Sequence, residues 1–156
     1  MQSKGINMDD INLKILLPVL FPFAFIAFWI FIVKLISRFA GWDQLTQKYR
    51  IVENFTPNVC KAGSARIKLA NYSGCFKMGA DHANLYIGVW FIFKFSHPNI
   101  AISLHEIQGI ESSTLSFRYV ILTFNQLPDI PIKISIKNAK KIESLSHGYW
   151  QFQRME

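Results

Sequence analysis

The sequence predicts a mainly β protein: an N-terminal transmembrane helix, then a sandwich or small barrel of seven or eight short strands, closed by a short C-terminal helix. Three observations carry that expectation. The run from Ile15 to Val33 holds no charged or strongly polar side chain, the hydrophobic period switches to two after Ala65, and turn-forming clusters separate the alternating segments at near-regular spacing. A length of 156 residues accommodates one ordinary domain and a short appendage.

The apolar run, ILLPVLFPFAFIAFWIFIV, has nineteen residues. At about 1.5 Å of rise per residue it reaches roughly 28 Å, close to the hydrocarbon thickness of a bilayer. Nine Leu, Ile and Val residues and five Phe residues each favour insertion. Pro18 and Pro22 fall in its first half, where they are expected to start or kink the helix rather than break it. The segment is expected to stay uncleaved, because Lys34-Leu35-Ile36-Ser37-Arg38-Phe39 follows it where a signal peptide needs small residues. Lys4 and Lys14 precede the run, whereas Lys34, Arg38, Lys48 and Arg50 follow it, an imbalance that favours a C-terminal side in the cytoplasm at an inner membrane. Lys34, Arg38 and Trp42 are the expected membrane-anchoring residues, with Trp42 at headgroup depth or else packed in the next domain. The organisation is thus a tail over 1–14, a transmembrane helix over 15–38, a juxtamembrane helix over 41–53 and a β domain over 60–156.

In the juxtamembrane segment Trp42, Leu45 and Tyr49 share one helical stripe, and a connection with Pro57 follows. Alternation then appears in Ala65, Ile67 and Leu69, in Ile100, Ile102 and Leu104, and in Ile132, Ile134 and Ile136. Further strands are expected over 75–78, 85–87, 90–95, 107–111 and 117–124, with turns over 71–74, 96–99 and 125–129. Asn138 is a candidate cap for a helix over 139–146, with Ile142 and Leu145 on one face and Gly148 just past its end.

The stretch from Gly63 through Ala139 resembles a pleckstrin-homology or GRAM-like domain. The resemblance is carried by Asn84-Leu85-Tyr86-Ile87, by 93–102 (FKFSHPNIAI) and by Glu106-Ile107-Gln108-Gly109-Ile110. More closely, the chain is similar to small bacterial single-pass membrane proteins of uncharacterised function that place such a domain behind one helix and a Gly-Trp-x-x-Leu segment. The resemblance implies a seven-stranded barrel-like sandwich capped by a helix, and a binding or scaffolding role toward a protein partner. It also directs attention to Lys61, Arg66, Lys68 and Lys77, which fall where lipid-binding members carry basic residues around the first two strands. Lys68 stands in place of the usual final arginine, so no headgroup specificity is implied.

After residue 42 thirteen Lys and Arg face eight Asp and Glu, a net +5 that an anionic leaflet would attract. The same residues also fit an ordinary solvent-facing strand side. Nucleic acid is a poorer partner for this charge, because the basic residues are dispersed and no aromatic platform recurs among them. His82, His97, His105 and His147 have no zinc-ligand spacing, Cys60 and Cys75 form no CxxC, and no nucleophile, phosphate-loop or dinucleotide motif occurs, so no metal, cofactor or catalysis is expected. In a cytoplasmic domain both cysteines are expected to be reduced; reversed topology would permit a Cys60–Cys75 bridge. The functional expectation is a membrane-anchored interaction module or accessory subunit, and the alternative is a tethered sensor of anionic lipid.

Overall fold

The computed structural model describes residues 8–51 and 63–155. Helix α1 runs over Met8–Ala40 and passes through both Pro18 and Pro22. It begins well before the apolar run, so neither proline marks its start. Leu16–Ala40 is long and apolar enough to cross a bilayer, and from residue 16 to residue 31 every side chain is exposed. A helix that is apolar on all sides and bare on all sides lacks the polar face of a surface helix and the cover of a core helix.

The chain divides between Leu35 and Ile36. The second unit therefore begins inside α1, five residues before Gly41, and includes what the sequence reads as a separate juxtamembrane element. Helix α2, Trp42–Tyr49, is shorter than the expected 41–53, with Arg50 already extended. The β domain follows with β1 (Ala65–Ile67), β2 (Ala70–Tyr72), β3 (Phe76–Ala80), β4 (Asn84–Val89), β5 (Ile100–Ser103), β6 (Ile107–Thr114), β7 (Phe117–Phe124) and β8 (Leu127–Ser135), and ends with helix α3 (Ile136–Leu145).

These eight strands form two antiparallel sheets, a five-stranded one in the order β2-β1-β8-β7-β6 and a three-stranded one in the order β3-β4-β5. The alternation works as the period-two pattern demands. Val120, Leu122 and Phe124 from β7 and Ile130, Ile132 and Ile134 from β8 enter the same core as Phe76, Leu85 and Ile102 of the smaller sheet. Each such side chain contributes about 1.5–3 kcal/mol by leaving water. In β8, Pro128 and Pro131 lack the amide needed for a ladder, and the β7–β8 register shifts between Leu122 and Phe124.

Several local expectations are corrected. Residues 90–95 form no strand but a 3-10 turn over Phe91–Phe93, since only Phe93 of this run reaches the core. Leu69 is exposed beside Lys68 in the β1–β2 turn. Asn71 and Tyr72 lie in β2, and the turn comes after them. Helix α3 starts earlier than expected, because Ser135 rather than Asn138 is the cap and accepts the Asn138 N–H at 3.3 Å. Ile136 consequently opens α3 instead of ending a strand. The expected connection around Pro57 lies outside the described residues.

Candidate functional site

The end of α1 is held against the β domain by a polar and aromatic cluster. Ser37 Oγ donates to the Ser96 carbonyl at 2.7 Å, with Asp43 Oδ1 as a second acceptor at 3.3 Å. Gly41 then ends the helix in a left-handed conformation (φ 76°). A Cβ there would stand 3.0 Å from Ile130 Cδ1, so glycine answers both the backbone angle and the close approach. The turn delivers Trp42 into the core, where it has no exposed surface. Its indole N–H donates to the Pro98 carbonyl at 3.1 Å, and its ring meets His97 at 4.9 Å and Tyr72 at 5.7 Å. The expectation of Trp42 at headgroup depth is therefore corrected: the alternate reading, a packing tryptophan of the domain, describes it.

Tyr72 and His97 continue the cluster. His97 Nδ1 lies 3.2 Å from the Phe93 carbonyl, which can only accept, so the ring proton belongs on Nδ1. Nε2 is then the acceptor for the Tyr72 hydroxyl, 2.9 Å away. Burial pushes His97 below the ordinary histidine value despite the opposing pull of the Phe93 carbonyl and Asp43, and it pushes the Tyr72 phenol upward. A hydroxyl–imidazole pair can serve general-base chemistry, but this one is sealed, with His97 only 1% exposed. Both side chains act as positioning groups for Trp42.

Farther along α2, Leu45 and Tyr49 are buried on the same stripe as Trp42. The Tyr49 hydroxyl donates to Glu106 Oε2 at 2.9 Å, and burial, reinforced by that carboxylate, pushes its pKa up to about 12. Gln126 Nε2 holds both Glu106 oxygens, at 2.9 and 3.0 Å. The Ile51 amide finally donates to the Asn99 carbonyl at 3.1 Å, so the chain leaving α2 is stitched to the entry of β5. An eight-residue helix would not persist alone in water; here the domain core supplies its stability.

The basic residues singled out by the sequence do not converge as a group. Lys34 and Arg38 are exposed on α1. Arg66, on β1, lies directly across from Lys133 of β8, and Lys133 stands over the Tyr119 ring at 5.2 Å. Lys68, at the β1–β2 turn, has a left-handed φ of 49°. Lys77 belongs to β3, in the other sheet. Lys61 lies outside the described residues, as does Cys60. Cys75 is a free, half-buried thiol whose pKa burial raises.

A second polar concentration was invisible in the sequence. Glu111 of β6 points inward, pairs with Arg118 of β7 and accepts the Met155 N–H at 3.3 Å. Arg118, Lys140, Arg154, Ile136 and Phe152 complete the wall of an open cavity of about 110 Å³ beside it. Arg154 is engaged in turn by Glu143 at 3.3 Å. The chain end also covers the edge of β6. Gln153 exchanges backbone hydrogen bonds of 2.8 Å with Gly109 and Glu111, and Trp150 donates to the Ile107 carbonyl at 3.0 Å.

Asp81 organises the β3–β4 turn, accepting from the Ala83 and Asn84 amides and the Tyr86 hydroxyl, each at 2.7 Å. Burial alone would raise its carboxyl, but these donors and His82 outweigh it and hold the pKa below the ordinary value. Among the described residues no group of three or more His, Cys, Asp and Glu is placed to hold a metal ion. No protein-family model, no curated protein and no solved structure matches the chain.

Proposed function

We propose that the chain is a membrane-anchored, non-catalytic interaction module, in which a helix crossing the bilayer carries a pleckstrin-homology-like domain to a protein partner at the cytoplasmic surface of an inner membrane. The observation that carries this reading is the way the end of α1 enters the domain. Ser37, Gly41 and Trp42 leave no flexible tether between the helix end and the sheets, so a partner binding the domain is held at a fixed place relative to the helix end. The bare apolar surface of α1 supports the bilayer as its solvent. The pleckstrin-homology-like part of the reading is supported by the element order. When β2 and β3, separated only by the turn at 73–75, are counted as one bent strand, seven antiparallel strands precede one helix.

Affinity purification of the full chain from membranes in mild detergent tests the partner. The expected outcome is one companion retained in fixed ratio; a clean monomer at native expression level would contradict it. Membrane crossing is tested separately by alkaline extraction, where the full chain is expected to stay with the lipid pellet and release into the wash would contradict the span.

A tethered sensor of anionic lipid is the second reading, favoured by the Arg66–Lys133 pair. Like charges directly opposite on neighbouring strands cost stability unless an anion lies between them. Native mass spectrometry of the full chain in mixed micelles should then retain anionic lipid that Arg66→Glu with Lys68→Glu abolishes. Equal lipid retention by the double variant would remove this reading.

A further inference from the structure

We infer that residues 90–95 form a second membrane contact, an aromatic loop seated in the headgroup–acyl boundary of the leaflet that α1 leaves. This rests on the reading of α1 as a membrane span. The six residues Trp90-Phe91-Ile92-Phe93-Lys94-Phe95 place four large apolar side chains in solvent: Trp90 at 49% exposure, Phe91 at 79%, Ile92 at 43% and Phe95 at 51%. Such clustering on one short loop differs from the scattered apolar residues that any surface carries, and it marks a contact face.

The exposure is built, not slack. The Phe93 amide donates to Trp90 at 2.9 Å, Lys94 to Phe91 at 3.1 Å and Ser96 to Phe93 at 3.2 Å, so successive turns satisfy the backbone. The Trp90 amide ties one end to the Cys75 carbonyl at 3.0 Å, and His97 Nδ1 ties the Phe93 carbonyl from inside. With Phe93 packed against the core, its neighbours are turned outward.

Position selects lipid as the occupant. The loop ends at Ser96, whose carbonyl takes the Ser37 hydroxyl. Ser37 stands four residues beyond Val33, about 6 Å of helix rise past the end of the charge-free run. Ile36 and Phe39 are exposed on the same last turns of α1. The loop is thus fastened to the stretch of helix that emerges from the hydrocarbon. Its composition suits that depth: a tryptophan and phenylalanines for the interface, and one exposed lysine, Lys94, long enough to reach lipid phosphates.

The test uses the full chain in phosphatidylcholine vesicles, with a fluorescent coumarin amino acid installed at position 91, 125 or 26 in separate preparations. Position 91 is mostly exposed, so the probe there displaces no core contact. Emission from 91 is expected to be lost when the acyl chains carry bromine near the headgroup, emission from 26 when bromine lies deep, and emission from Asn125 in neither case. Water-like, unquenched emission at 91 overturns the inference, and so does blue-shifted emission that bromine leaves untouched, which would mean a protein covers the loop. Position 26 reports on the span alone, so quenching at 26 without quenching at 91 removes the loop contact and spares the anchor.

Discussion

Trp42 and Trp90 both belong to the unit that the end of α1 enters, yet one is sealed and the other half bare. In the sequence Trp42 stands between Arg38 and Asp43-Gln44, whereas Trp90 stands in an apolar run. What separates them is geometry. Gly41 turns Trp42 inward, where the Pro98 carbonyl satisfies its N–H, whereas the tight turn after Trp90 spends its one inward position on Phe93. An aromatic side chain close in sequence to a long apolar helix is thus no sign of an interfacial anchor until the backbone around it is known.

The largest expected effect that sharpens this contrast is on folding. Trp42→Ala should cost about 3–5 kcal/mol by leaving a cavity among Tyr72, Phe76 and His97, whereas Trp90→Ala should change stability by less than about 0.5 kcal/mol in detergent. Denaturant titrations of the two variants check it, and equal losses would break the comparison. Gly41→Ala should follow at about 1–3 kcal/mol, because a side chain must there adopt a positive φ and push Ile130 aside. Tyr72→Phe leaves His97 Nε2 buried without its donor and should cost about 1–3 kcal/mol, measured in the same way.

A smaller effect is expected on pH dependence. Unfolded His97 takes up a proton near its ordinary value of 6.5, but the folded ring resists until lower pH. Between those points the unfolded state binds the extra proton, so stability held above pH 6.5 should fall as the pH drops below it. The acid-side decline between pH 6.5 and 5 should be shallower in His97→Gln than in the parent chain. Identical slopes would show that the ring titrates freely. Ser37→Ala should be the mildest change, about 0.5–1.5 kcal/mol for one hydrogen bond.

The contrast also explains what was legible in the sequence. Strict periodicity reads well because it is local. Ile132 and Ile134 alternate with Lys133 and Ser135, and Trp42, Leu45 and Tyr49 share a helical face; all five apolar residues are buried. The apolar run of α1 was equally plain. Which partner covers a face is another matter. Nothing near Trp42 announces that β5 and residues 97–98 will enclose it, since those contacts span more than fifty residues. Residues 90–95 lacked any period, and an aperiodic apolar run is compatible with a buried strand or an exposed turn. Glu111 shares the face of Ile107 and Gly109 and is buried with them, while Ile110 is exposed. What the sequence does not show is its company there: Arg118 of the neighbouring strand β7 pairs with it, and the returning chain end packs Trp150 and Phe152 against Gly109. The helix start failed for a local reason, as Ser135 and Asn138 are both good caps and the end of β8 decided between them.

Hydrogen–deuterium exchange of the full chain in lipid nanodiscs tests most directly whether α2 belongs to the β domain. The amides of Leu45, Arg50 and Ile51, bonded to Gly41, Thr46 and Asn99, should exchange as slowly as those of β7. Exchange at the rate of a frayed, free-standing eight-residue helix, with β7 still protected, would contradict the account.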